Sequence, residues 1–585
     1  MASPEIRRLH LHRFRGIENL IWQPHAGMNI ILGGGNVGKT TLLDAVALLL
    51  YPTNGYTLSD ADYWQRQVEA EFVIEAVMFF PEETGIHKQN ATAWPWEWDG
   101  SNAEQPKLDE DGGGAQDAVY KVRVRGTADL ELVYEMVQPD ENVIAFSTAI
   151  RRSIGIVRLI GDDRNDRDLR LIQGGGLDRL LADKTLRAKL GRKVALDSVE
   201  GELSEEAQIR LAELDTKFGE RALPTGLGLG FVGGVGLSIN SLVGLTSKKD
   251  LVPLPLTSWG AGTRRLAALA IADTLQQGMP ITVVDELERG LEPYRQHRLV
   301  QSLREKISQI FVTTHSAAVI SAGAGATLWY VDAKGAIGLL PAAKVKAHQA
   351  KDPETFLARL TIVAEGATEV GFIRELLDRY IGTTWRDEGI HVTDGGGNDT
   401  VLELLEALSS GGLRFAGFAD LEPANPNPGR WGAVKARLGD LLLRWDKGCL
   451  EENLLPMFGA DKLRALIEDA EGGRTGIRLR TLADRLGIKQ TAFEDISAAA
   501  GPAFVQLIVQ AATGYVPDAV KSDKARAKEY KVHARQWFKS NDGGRELAQK
   551  LFTLNVWSDA RPVLLPFLNA IRVTLEMDAL QEDQE

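Results

Sequence analysis

Cysteine is almost absent: Cys449 is the single one in 585 residues. That rules out a disulfide framework and a cysteine-built zinc site within the chain, and it fits a reducing, cytoplasmic setting. An excess of positive charge is absent too. The 67 lysines and arginines are outnumbered by 80 aspartates and glutamates, for a formal net charge of −13. A wholly basic coat for nucleic acid is thereby excluded; local, metal-mediated contacts are not. One uncharged stretch, Pro224 to Ser247, has the length of a membrane span. Its glycines and its alternation (Leu227, Leu229, Phe231; then Leu237, Ile239, Leu242) fit two strands joined by a Gly-Gly turn better. The opening Met1-Ala2-Ser3-Pro4-Glu5 lacks the basic-then-apolar pattern of a secretory signal, so no membrane association is expected. The length predicts two or three domains, and the 44% apolar and 25% charged fractions are those of a soluble globular chain.

What is present begins with Gly33-Gly34-Gly35-Asn36-Val37-Gly38-Lys39-Thr40, which fits G-x-x-x-x-G-K-[ST] without a gap. The apolar run from Met28 to Leu32 before it reads as a buried strand, and Thr41 to Leu50 after it as a helix. Strand, glycine loop and helix N-terminus together make a phosphate cradle of backbone N–H groups. Gly33, Asn36, Gly38, Lys39, Thr40 and Thr41 are the candidate nucleotide contacts. Lys39 would reach the β- and γ-phosphates, and the Thr40 hydroxyl would ligate Mg²⁺.

Around this loop, Ile6 to Leu20 predicts an opening strand pair, Ala70 to Phe80 a strand, and Val119 to Ser153 further strands. Residues from about Glu82 to Asp117 are polar and read as a surface loop, with Trp94 and Trp96 in local packing. Leu169 to Leu214 is charged with helical apolar spacing and predicts a helical insert at about 160–220, a candidate dimer contact.

Four further elements follow in a fixed order. Ser258-Trp259-Gly260-Ala261-Gly262-Thr263 opens an apolar helix running to Leu275. Ile281 to Val284 is a buried strand ending in Asp285-Glu286. Asp285 would hold the Mg²⁺ shell, and Glu286 would orient or deprotonate the attacking water. Arg289-Gly290-Leu291-Glu292-Pro293 comes next, then a strand delivering His315. This order resembles the ABC-type ATPases, with Ser258, Gly260 and Gly262 as their signature loop. The resemblance implies that the signature of one head completes the nucleotide site of another, hence an ATP-sensitive homodimer through the ATPase domain. The signature lies only about 220 residues after the phosphate loop, with no long heptad coiled coil between.

The second half changes character near Ala347–Thr355. Leu360 to Ala364 reads as a strand ending in Glu365-Gly366-Ala367-Thr368-Glu369; a second strand passes Ile390-His391-Val392; a third, Phe415 to Ala419, ends in Asp420-Leu421-Glu422. Alternating strands and helices predict a parallel sheet with its acids gathered at one edge. Glu365 and Glu369 fall one helical turn apart, and Asp420 and Glu422 alternate on one face of a strand end. Clustered carboxylates call for hard cations, Mg²⁺ or Mn²⁺ with Ca²⁺ as a further candidate, and paired metals cut phosphodiesters.

E-G-x-x-E followed by D-x-E resembles the Toprim domain of topoisomerases, primases and certain nucleases, with Glu422 where that family carries aspartate. An ABC head followed directly by Toprim resembles the OLD (overcoming lysogenisation defect) endonucleases, within them the helicase-associated, Gabija-like class 2 branch. The resemblance covers nearly the whole chain. It implies an α/β fold: an N-terminal ABC-type ATPase head with a helical insert (1–345), then a C-terminal Toprim-type nuclease domain with a helical, basic end (355–585). It implies a further glutamate, for which Glu451 is the candidate and Glu452 the second choice. It also implies a lysine, for which Lys539 is the candidate among Lys521, Lys524, Lys528 and Lys531. The metal set is then Glu365, Glu369, Asp420, Glu422 and Glu451, with ATP and Mg²⁺ at the head. The function expected is ATPase-coupled, metal-dependent DNA cleavage in phage defence or DNA repair, with DNA, a second copy (a tetramer being the alternative) and a UvrD-type helicase as partners. The alternative is a nucleotide-sensing clamp that binds DNA or a protein without cutting; RNA cleavage is a third reading.

Overall fold

The computed structural model describes residues 3–52, 56–88, 91–106, 116–159, 245–249, 252–275, 280–306, 308–422, 427–469 and 472–581, with isolated positions between 160 and 244. The helical insert and nearly all of the expected 224–247 strand pair lie outside the described residues. The chain divides into two compact units, Met1–Gly27 with Thr40–Thr313, and Met28–Lys39 with Thr314–Glu585. ATPase sequence therefore contributes to both.

In the first unit an antiparallel sheet is built on strand Glu5–Phe14, flanked by Ile17–Trp22 and Phe72–Phe79. Ile6, Leu9, Leu11 and Phe14 are completely buried; strict alternation holds only from Leu9 to Leu11, because the register shifts between Ile6 and Arg8 and Arg13 takes left-handed backbone (φ 56°). The sheet continues through Ala118–Gly126, Leu132–Val137 and Val143–Ala145. The polar stretch expected as a loop also holds two short strands, Trp96–Trp98 and Ala103–Glu104. At three and two residues they are too brief to show a period. Trp96 is buried, donates its indole N–H to the Val137 carbonyl at 2.8 Å and lies under the Lys121 ammonium; Trp94, expected to pack, is 62% exposed.

Also in this unit, Ile156–Leu159, Ile281–Val284 and Ile310–Thr313 run parallel, with every residue of the last two buried. Burial on both faces is why these runs are continuously apolar rather than alternating.

In the second unit, strand Met28–Gly33 pairs in parallel with Thr327–Val331, which forms a hairpin with Ile337–Leu340. A separate four-stranded, all-parallel sheet has the order Ile390–Asp394, Leu360–Ala364, Phe415–Ala419, Leu442–Arg444. Ala364 pairs with both Asp394 and Phe418, and Ala419 with Arg444, so all four strands end at one edge. Helices Ala367–Tyr380 and Asn398–Gly411 return over it. A cluster from Leu360 to Leu575 forms the core, with Phe372, Phe418, Trp537 and Leu547 among its buried members. The span Phe493–Thr513 is long and apolar enough to cross a membrane by composition. It is two helices broken at Gly501, and Ile496, Ile508 and Ala512 pack into the core cluster, as core helices do.

Candidate active site

The phosphate loop carries left-handed backbone at Asn36 (φ 60°) and Gly38 (φ 99°), as a tight anion-facing turn requires. Helix Lys39–Leu49 starts at the loop's end. The buried Lys39 ammonium donates to the carbonyls of Gly33 and Gly34 at 3.0 and 2.6 Å. The Thr40 hydroxyl donates to Asp285 at 3.2 Å, and the Thr313 hydroxyl donates to Asp285 at 2.5 Å while accepting the Glu286 N–H at 2.8 Å. Glu286 itself has φ 47°, an uncommon backbone for a non-glycine residue, which turns the chain sharply after the strand. The signature segment opens helix Ala261–Leu275, and Ser258 is exposed, donating to the Pro255 carbonyl. A Cβ on Gly262 would lie 2.1 Å from the Gly290 carbonyl oxygen, so glycine there permits the close approach of the signature helix to the following loop. The buried Arg265 ties that helix to the Asp285 carbonyl. His315 follows strand Ile310–Thr313.

At the edge of the parallel sheet, Glu365 directly follows its strand. Its Oε2 accepts the Asp420 N–H at 2.8 Å and the Asn398 side-chain N–H at 3.0 Å. The same Asn398 amide group donates to the Asp420 carbonyl at 2.8 Å, so one buried amide bridges two strand ends. Asn398 went unnoticed in the sequence, although it follows the glycine run Gly395-Gly396-Gly397 and begins a helix. Its Oδ1 is buried without a hydrogen-bond partner.

Glu369, in the first turn of its helix, is buried; burial and the charges of Glu451 and Glu365 push its carboxyl up to about 7. Asp420 is raised further, to about 9, by burial and by Glu369, Glu365 and Glu451. Its Oδ1 accepts the Leu450 N–H at 3.1 Å, which brings helix Leu450–Leu454 to the site. Glu451 is wholly buried, with one oxygen on the Lys539 ammonium at 3.0 Å and the other without a partner. Glu452 is turned away, accepting the Cys449 N–H at 3.0 Å. Burial alone would lower Lys539, but Glu451, Cys449 and Glu369 outweigh it and hold the ammonium charged.

Lys539 reaches the cluster through close packing of helices Ala367–Tyr380 and Asn541–Thr553. A Cβ on Gly371 would lie 1.8 Å from the Asn541 carbonyl oxygen, and one on Gly544 1.9 Å from that of Thr368. Arg545 pairs with Glu375 and Asp378 across the same contact. Lys521 instead pairs with Asp518.

Glu422 stands apart. The strand ends at Ala419, so the expected one-face alternation of Asp420 and Glu422 does not apply. Glu422 is exposed; partial desolvation, then the charges of Glu365 and Asp399, raise its carboxyl.

An all-oxygen donor set with one orphaned buried carboxylate oxygen, and two acids raised by burial and by their acidic neighbours, fits hard divalent cations.

An ATPase head followed by a carboxylate-edged parallel α/β domain is thus the class of protein these units define. Residues 356–421 match the family described as overcoming lysogenization defect protein-like, TOPRIM domain. Residues 154–321 match that described as AAA domain, putative AbiEii toxin, Type IV TA system. The chain carries an OLD-like TOPRIM domain after an ATPase domain. A curated relative, DNA replication and repair protein RecF of Chloroherpeton thalassium (strain ATCC 35110 / GB-78), is 34% identical over 71 residues, 12% of this chain and 19% of the relative. The chain thus spans about a fifth of that relative's length. Among solved structures, the recombination mediator RecF with ATPγS is 15% identical, covering 58% of this chain and 99% of that one, at a TM-score of 0.32. The Pyrococcus furiosus Smc head with an extended coiled coil, bound to the C-terminal domain of ScpA, is 12% identical, covering 60% and 99%, at 0.33.

Proposed function

We propose that this chain is a divalent-metal-dependent DNA endonuclease or nickase governed by its ABC-type ATPase head, of the helicase-associated, Gabija-like kind. The observation that carries the reading is the convergence of Glu365, Glu369, Asp420 and Glu451 with Lys539 at one sheet edge. Glu365, Glu369, Asp420 and Glu451, with Glu422 at the rim, are the residues that would hold the metal ions. Two bound ions would supply an activated water and offset charge on the leaving oxygen. Asn398 fixes the Glu365 carboxylate against the Asp420 backbone, and Lys539 supplies positive charge for a developing phosphoryl anion. At the head, Gly33, Asn36, Gly38, Lys39, Thr40 and Thr41 would take the phosphates and Asp285 the Mg²⁺ shell. Glu286 and His315 would face the γ-phosphate, and Ser258, Gly260 and Gly262 would serve a second copy's nucleotide. On this reading the working form would be a homodimer in the cytoplasm, with ATPase 1–345 and TOPRIM 355–585 in each copy. Phage defence or repair beside a UvrD-type helicase is the setting this reading fits.

The test is cleavage of supercoiled and linear duplex DNA with Mg²⁺, Mn²⁺ or Ca²⁺, with and without ATP. Wild type should cut, and Glu365→Ala should lose at least about 10³-fold in rate. Lys39→Ala should weaken ATP binding about 10- to 100-fold and show which way nucleotide acts on cutting. DNA bound by wild type and left whole with every metal, with a helicase partner supplied, would hand the function to a non-cutting clamp.

A further inference from the structure

The carboxylate edge is not the only place where metal-ligand chemistry gathers. Helix Lys524–His533 carries Glu529 and His533 four residues apart, which places both on one helical face. Asp484 comes from helix Thr475–Leu486. One ligand atom from each of Asp484, Glu529 and His533 lies within 4.8 Å of the others. None of the three belongs to the nuclease or nucleotide machinery.

His533 supplies a second, separate observation. It is 6% exposed, and its Nδ1 is buried with no hydrogen-bond partner. A buried imidazole nitrogen with no partner has a desolvation cost that ligation would relieve. Its ring packs beside Tyr530, with centroids 5.4 Å apart, which limits how the ring can turn. Arg485 is the neighbouring cation, but its guanidinium donates to the carbonyls of Tyr515 and Tyr530 and lies over the Tyr530 ring. Two carboxylates against one guanidinium still leave net negative charge for a divalent ion.

We propose that Asp484, Glu529 and His533 form a binding site for a borderline transition-metal cation of the Zn²⁺ type, clipping helix Lys524–His533 to helix Thr475–Leu486. One imidazole with two carboxylates suits Zn²⁺ and its neighbours better than Mg²⁺ or Ca²⁺, which prefer oxygen alone. The helix so clipped carries Lys524, Arg526, Lys528 and Lys531, so the ion would set the orientation of a basic surface.

The test uses the full-length, metal-stripped protein titrated with ZnCl₂ against a chromogenic chelator, and with CoCl₂ read by visible absorption. Glu529→Gln and Asp484→Asn should each weaken one Zn²⁺ site at least about tenfold and remove its Co²⁺ band, with metal-free melting unchanged. Asp420→Asn should leave that site intact, which separates it from the TOPRIM acids. His533→Gln should behave as the other two if it folds; the exposed Glu529 keeps the test decisive if it does not. Zn²⁺ binding unchanged in Glu529→Gln and Asp484→Asn, or wild-type binding abolished wholly by Asp420→Asn, would overturn the assignment.

Discussion

The nucleotide loop and the carboxylate edge solve opposite problems. The loop is local: eight consecutive residues set its shape, and Lys39 bonds carbonyls five and six residues before it. The carboxylate edge is non-local: Glu365 and Lys539 lie 174 positions apart, and the site exists only once the sheet and two glycine-notched helices have packed. The loop would meet an anion with backbone N–H groups that cost little to present. The edge buries several like charges that stay partly protonated or must meet a cation. A local site tolerates distant change; a packed, charge-frustrated one should not.

Four measurements sharpen or break that contrast. The largest effect is expected at Lys539. Lys539→Ala should lower cleavage about 10²- to 10³-fold while leaving ATP turnover unchanged, assayed side by side. Loss of both activities together would mean that the two sites are not separable.

Asn398→Ala should weaken Mn²⁺ binding at the edge about 10- to 100-fold, because Glu365 loses one of its two orienting donors and keeps only the Asp420 N–H. Calorimetric titration reads this directly; unchanged affinity would reduce Asn398 to a packing residue.

Gly338 offers a link between the regions. Its hairpin pairs with the strand before the phosphate loop, and a Cβ on it would lie 2.5 Å from the carbonyl oxygen of Gly411, at the far end of the helix that Asn398 begins. Gly338→Val should change ATP's effect on cleavage about two- to thirtyfold without altering ATP affinity. A variant that cuts and responds to ATP like wild type would leave coupling to the dimer alone.

The smallest effect is in pH. Glu369 and Asp420 hold protons in the folded state up to about 7 and about 9, against about 4 when unfolded. Between those limits the folded state binds more protons, so the stability of metal-stripped protein should fall as pH rises from about 5 to 9. Asp420→Asn or saturating Mg²⁺ should flatten the slope, read as Tm against pH. Equal slopes in wild type and variant would show that the acids are not frustrated.

Part of this was legible before any fold. Buried parallel strands read clearly because both faces are covered, and Asp285, Glu365 and Asp420 follow such strands directly. The two-residue strand at Ala103 was not legible, since a period needs more residues to show. Asn398 gave no signal because an asparagine opening a helix is ordinary; only its two long-range hydrogen bonds mark it.

The sequence by itself determined the phosphate loop, the order of the ATPase elements and the acids at successive strand ends, because each depends on neighbours within a few residues. Only the tertiary structure decided that Glu451 rather than Glu452 turns inward, that Lys539 among many lysines stands beside it, and that His533 meets Asp484 and Glu529. Those choices depend on which helix faces pack together, and face contacts are made by residues tens to hundreds of positions apart.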